Sequence, residues 1–199
     1  MLEMKCLLII SLVVFVTVVI SDTGKPLFLP NLPVGKYRLN FLALLRCTSA
    51  RLNNKIKYEL YLGKKSANTT EFLGNITHLV PFDDSLNLEF DMARKDSVGG
   101  WKNNDFVYKS PKGCTTLKTF FGGAWTSIMD GLGIYNATCP IPVGFYKGSG
   151  LDTADFMLTN FPKTFFYGTY RFTIYFTKNN EVYGCFTLVV EVKRPWELD

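Results

Sequence analysis

Two segments near the C-terminus constrain the fold more than anything else in the chain. In 168–177, Tyr170, Phe172, Ile174 and Phe176 alternate with Arg171, Thr173 and Tyr175; in 182–193, Phe186, Leu188, Val190 and Val192 share one face. A period of two marks strands with one buried side, because successive side chains point to opposite faces. Lys178-Asn179-Asn180 separates the runs with residues suited to a tight turn. These are the two most secure strands in the chain.

The same period recurs upstream. Leu39, Phe41, Ala43 and Leu45 share a face of a first strand; Ile56, Tyr58, Leu60 and Leu62 share a face of a second, with Lys57 and Glu59 opposite. Residues 70–80 form a third, and Leu86, Leu88, Phe90 and Met92 alternate with Asn87, Glu89 and Asp91 in a fourth. The polar, glycine-bearing stretch 94–104 reads as a loop, Asp105–Lys109 as a short strand and 151–159 as another. Asp22–Gly35, with three prolines and two glycines, is an irregular lead-in. The period breaks once. In CTTLKTFFGGAWTSIMDGLG, residues Leu117, Phe121, Ala124, Trp125, Ile128 and Met129 recur at three and four, which predicts one or two short helical pieces. Gly122-Gly123 weakens that helix, each glycine costing roughly 1 kcal/mol against alanine. The sum is an all-β fold, an antiparallel sandwich or cup with a short helical insert.

The first residues stand apart. Leu7–Ile20 is an apolar, uncharged run of fourteen preceded by Lys5, and small residues flank a cleavage point after Ser21. That pattern predicts a signal peptide over 1–21; a membrane span needs roughly twenty such residues. A single domain, 22–199, then remains as a secreted, extracellular protein. Cys6 falls in the leader, so Cys47, Cys114, Cys139 and Cys185 are left to form two disulfides in one of three pairings. Sequons at Asn68, Asn75 and Asn136 fit the same route. The net charge of +5 is scattered, with no basic run longer than two, which argues against a nucleic-acid partner.

Catalytic chemistry finds no support. His78 is the only histidine, so there is no metal triad and no Ser/His or Cys/His pair with local support. Neither a metal nor a cofactor is expected. Asp83-Asp84 follows Pro81-Phe82 and reads as a turn rather than an acid–base pair. What stands out instead is FPKTFFYGTYRFTIYF, Phe161–Phe176, in which eight of sixteen residues are aromatic. Phe165, Phe166 and Tyr167 lie outside its alternating run and either tuck under the sandwich edge or form an apolar rim.

Cys139-Pro140, Gly144-Phe145-Tyr146, Leu158, Phe161-Pro162, Gly168-Thr169-Tyr170-Arg171 and Gly184-Cys185 form a combination that resembles the ML lipid-recognition superfamily, the group of the ganglioside activator. Phe82-Asp83-Asp84-Ser85, Asp96–Asn103 and Cys114–Thr119 are similar to the insect chemosensory CheB proteins. The resemblance covers roughly 37–193. It implies a β-cup around an apolar cavity, with Cys47 bridged to Cys185 and Cys114 to Cys139. By periodicity alone the inward rings fill a core. The resemblance makes Phe41, Tyr58, Leu60, Phe90, Met92, Phe156, Leu158, Tyr170, Phe172, Ile174, Phe176, Phe186 and Leu188 the walls of a ligand site. Phe121 and Trp125 on the insert then face a rim of Phe165, Phe166 and Tyr167. The implied partner is a lipid or other hydrophobic small molecule, as in pheromone perception. Transient membrane contact, a receptor partner and lipid presentation to an enzyme are the other expectations, and a ligand-free interaction sandwich is the alternative.

Overall fold

The computed structural model describes residues 32–47, 49, 51–66 and 69–197; the expected leader 1–21 and the sequon residue Asn68 lie outside them. The strands are β1 (Val34–Gly35), β2 (Arg38–Arg46), β3 (Ile56–Lys64), β4 (Thr70–His78), β5 (Asn87–Lys95), β6 (Trp101–Ser110), β7 (Gly144–Lys147), β8 (Leu151–Asp152), β9 (Phe165–Phe166), β10 (Gly168–Lys178) and β11 (Glu181–Lys193). Between β6 and β7 lie α1 (Gly113–Phe121), a 3-10 turn (Gly122–Ala124) and α2 (Trp125–Gly131). This is the expected all-β antiparallel sandwich with a short helical insert.

The β10–β11 hairpin is the centre of the larger sheet, whose order is β2-β11-β10-β5-β6. Lys178 pairs with Glu181 across Asn179 and Asn180, which both take positive φ. That turn has the twist of the strands it joins, and asparagine tolerates it better than most residues. The second sheet, β3-β4-β7 with β8 also on β4, packs against the first through its rings. Tyr58 of β3 lies 4.9 Å from Phe186 and 6.0 Å from Phe176, and Phe41 of β2 lies 5.3 Å from Phe72 of β4. Gly184 permits this approach, since a Cβ there would stand 2.6 Å from the Ile56 carbonyl oxygen.

Cys47 bridges Cys185 and Cys114 bridges Cys139, the pairing that the resemblance implied. With sequence separations of 138 and 25, the loop-entropy model assigns them about 5 and about 3.5 kcal/mol. The first ties the end of β2 to β11. The second closes the helical insert.

Three departures have physical causes. In β2, Leu42 is an extra residue between the Phe41–Val190 and Ala43–Val189 pairs. A bulge of one residue flips the face, so Leu39 and Phe41 join the core while Leu45 turns out, 48 % exposed. The expected strand 151–159 stops at Asp152, whose carboxylate accepts the Ala154 N–H and caps a 3-10 helix, Thr153–Leu158. Leu158 therefore leaves the alternation and is exposed. The loop expected over 94–104 is shorter, because β6 already begins at Trp101, stacked under the Arg171 guanidinium at 4.8 Å.

Asp83 and Asp84 both serve local structure. Asp83 accepts from the Ser85 N–H and hydroxyl. Asp84 accepts from the Thr115 N–H and hydroxyl, at 2.8 and 2.6 Å, in the first turn of α1, and these bonds hold its carboxyl below the usual range.

His78 is buried on β4 between the rings of Tyr146 (5.2 Å) and Phe82 (6.1 Å). Burial pushes its pKa down to about 4, opposed by a bond to the Pro142 carbonyl. The unfolded chain thus takes up a proton below pH 6.5 that the folded chain refuses until about pH 4. Stability is full above pH 6.5 and falls across that window by up to about 3 kcal/mol. Urea unfolding midpoints measured from pH 7 to pH 4 should show this slope, and His78→Phe should flatten it.

Candidate functional site: a row of half-open rings

The larger sheet has strands to spare. The second sheet packs on β2, β11 and β10, while β5 and β6 meet α1, which in turn holds Phe161. Phe90 of β5 stacks on Tyr108 of β6 at 5.0 Å and touches Phe106 at 5.9 Å and Phe172 of β10 at 6.4 Å. Tyr108 reaches Phe120 of α1 at 5.5 Å, and Phe120 reaches Phe161 at 6.2 Å. Phe90, Tyr108, Phe120, Phe161 and Phe172 are half-buried, and Phe106 is 51 % exposed. Rings in mutual contact with one side still wet form an apolar surface that a ligand can desolvate.

A strap frames this row. Tyr37 donates to the Pro162 carbonyl at 2.7 Å, Tyr167 to the Lys36 carbonyl at 2.9 Å, and the buried Tyr170 to the Phe166 carbonyl at 3.0 Å. β9 pairs antiparallel with β1, and Arg194 lies 4.4 Å over the Tyr167 ring. Burial raises the pKa of Tyr37 and Tyr170, so both stay protonated donors. The expected rim therefore divides. Phe165 is half-buried against Tyr37 and Tyr170, at 6.2 and 5.3 Å, and Tyr167 is tethered. Phe166 alone of the three is exposed, at 55 %.

The expected wall residues also separate. Phe90 and Phe172 stand in the row. Met92 and Tyr170 are buried beside Val192 in a small second core under the strap. Tyr58 packs on Phe176 and Phe186, and Phe176 on Phe82, while Phe41 and Phe156 pack on Phe72 and on each other. Leu60, Ile174 and Leu188 line that main core half-buried. Trp125 is buried, its indole N–H donating to the Ala137 carbonyl at 2.8 Å, so it is no rim residue. Phe121 meets Phe156 edge-on at 6.1 Å. Leu158 belongs to neither core nor row.

Sequence reasoning missed Phe106, Tyr108, Phe120 and Phe161. The alternation of Phe106 and Tyr108 was visible in the short strand, as was the three-residue step from Leu117 to Phe120. A cleft of about 360 Å³ lies between the edges of β2 and β3, over Phe41 and Leu62, and a pit of about 40 Å³ lies at the start of the strap, beside Phe156 and Phe161. Among the described residues no group of acidic, histidine or cysteine side chains could hold a metal ion, and no helix is long and apolar enough to cross a membrane. The chain matches no protein-family model and no curated protein.

Replacing Tyr170 by Phe leaves the Phe166 carbonyl short of its buried donor. A loss of about 1 kcal/mol is expected, with faster amide hydrogen exchange confined to 161–168.

Proposed function

We propose that this protein is a secreted, non-enzymatic carrier that sequesters a lipid or other hydrophobic ligand, as chemosensory fluids use for pheromones. One observation carries the reading: the row Phe172–Phe90–Tyr108–Phe120–Phe161, whose rings touch one another yet stay only half-buried. The ML-type sequence pattern, the apolar leader, the sequons and the two disulfides support the lipid-binding and extracellular parts of the proposal. Sequestration needs no bond chemistry. An alkyl chain gains about 0.8 kcal/mol per methylene removed from water, so a dozen methylenes offer on the order of 10 kcal/mol before ordering costs are subtracted.

Displacement of a fluorescent fatty-acid probe tests this. Phe90→Ala and Phe120→Ala should each weaken binding about tenfold, the size of 1.4 kcal/mol. Phe145→Ala, at an exposed ring of β7 on the other sheet, should leave it unchanged. Equal affinity in all three variants, or no binding of fatty acids and long-chain hydrocarbons by the parent, overturns the proposal.

A second reading, presentation of lipid at a membrane, is favoured by the exposure of Met157, Leu158 and Phe166. Vesicle co-sedimentation should then fall severalfold in Phe166→Ser with the fluorescent-probe affinity intact. Unchanged sedimentation removes this reading and leaves the carrier.

A further inference from the structure

Strand β6 ends the five-stranded sheet. β5 pairs with one side of it, and among the described residues no strand pairs with the other. Two adjacent residues of this edge strand, Phe106 and Val107, are large, apolar and exposed, at 51 % and 60 %. Adjacent residues of a strand face opposite sides of the sheet. A partner laid on one face covers only one of them. A strand added in the plane of the sheet covers both.

The sequence here says which strand. Asp105-Phe106-Val107-Tyr108-Lys109 is a chemical palindrome: acid, ring, aliphatic, ring, base. Pairing it antiparallel with itself about Val107 sets Asp105 of each copy opposite Lys109 of the other. It sets Phe106 opposite Tyr108 twice, and Val107 opposite Val107. Either neighbouring register breaks both charge pairs. Opposite charges and paired rings at directly opposed positions stabilise a sheet, and like charges there destabilise it. Within one copy Asp105 contacts Lys102 at 2.7 Å and Arg94 at 3.5 Å, and Lys109 contacts Glu89 at 2.8 Å with its own side chain 62 % exposed. The lysine thus remains at the surface, in reach of a second carboxylate.

We propose that the protein forms a twofold homodimer by antiparallel β6–β6 pairing about Val107, joining two sheets into one. The row of rings then continues across the axis, with Phe106 beside the partner's Tyr108. The pairing itself does not depend on any ligand.

Concentration-dependent sedimentation of the secreted protein tests it, with near-ultraviolet circular dichroism to check that each variant is folded. A monomer–dimer equilibrium is expected. Asp105→Lys and Lys109→Asp should each weaken it about tenfold, since each puts like charges opposite at two places. The two together should restore it. Val107→Cys supplies an independent readout: residues on the axis face each other about 5 Å apart, so this variant should form a covalent dimer under oxidising conditions, on a non-reducing gel. A monomer at every concentration overturns the proposal. So does a dimer that neither charge reversal weakens and that Val107→Cys does not trap, because its interface then lies elsewhere.

Discussion

Tyr58, wedged against Phe176 and Phe186, is the contact on which the two sheets depend. Its strand can come that close only because β11 carries Gly184 where any side chain would strike the Ile56 backbone. The Cys47–Cys185 bridge then fastens the neighbouring end of β2 to the residue after that glycine. Sheet spacing, ring packing and covalent closure meet within a few residues of β11. The remaining strands pair outward from there, and the position of β5 and β6 follows from the hairpin at Asn179-Asn180.

The two sheets are unequal, and that inequality creates the candidate site. A sheet of five strands faces one whose main strands cover fewer, so part of an apolar inner face lacks a sheet to pack on. The helical insert and the strap take over that side, supplying Phe120 and Phe161. They cover it incompletely. Aromatic rings suit such a half-covered surface, since edge and offset contacts hold them in place without a closed shell around them. The strap is held by three tyrosine hydroxyls on backbone carbonyls, which explains the concentration of rings after Phe161. Some of those rings are core, some are tethers, and few face solvent.

Much of the fold was legible. The hairpin, the break to helical spacing at Cys114 and the inner faces of β3, β5, β10 and β11 follow from side-chain period alone, because burial on one side of a strand imposes that period directly. The errors fall where one residue overrides the period. Leu42 is an inserted residue that shifts every later side chain of β2 to the other face. Asp152 offers its carboxylate to a nearby N–H and starts a 3-10 turn, which takes Leu158 out of the expected wall. Neither event leaves a mark in hydrophobicity, since both depend on where backbone donors find partners.

The site was less legible than the fold. Apolar character predicts that Phe90, Phe172, Tyr58 and Phe176 point inward, and all four do. It carries no information on what faces them from the other sheet. Tyr58 and Phe176 meet across the sandwich and fill it, while Phe90 and Phe172 meet only rings on the same sheet and stay partly open. By itself the sequence determined the longer strands β3, β5, β10 and β11 with their inward faces, and the helical insert, through local period and turn chemistry. Only the tertiary structure decided which inward rings became core and which remained available to a ligand, because that depends on the unequal breadth of two sheets brought together from distant parts of the chain.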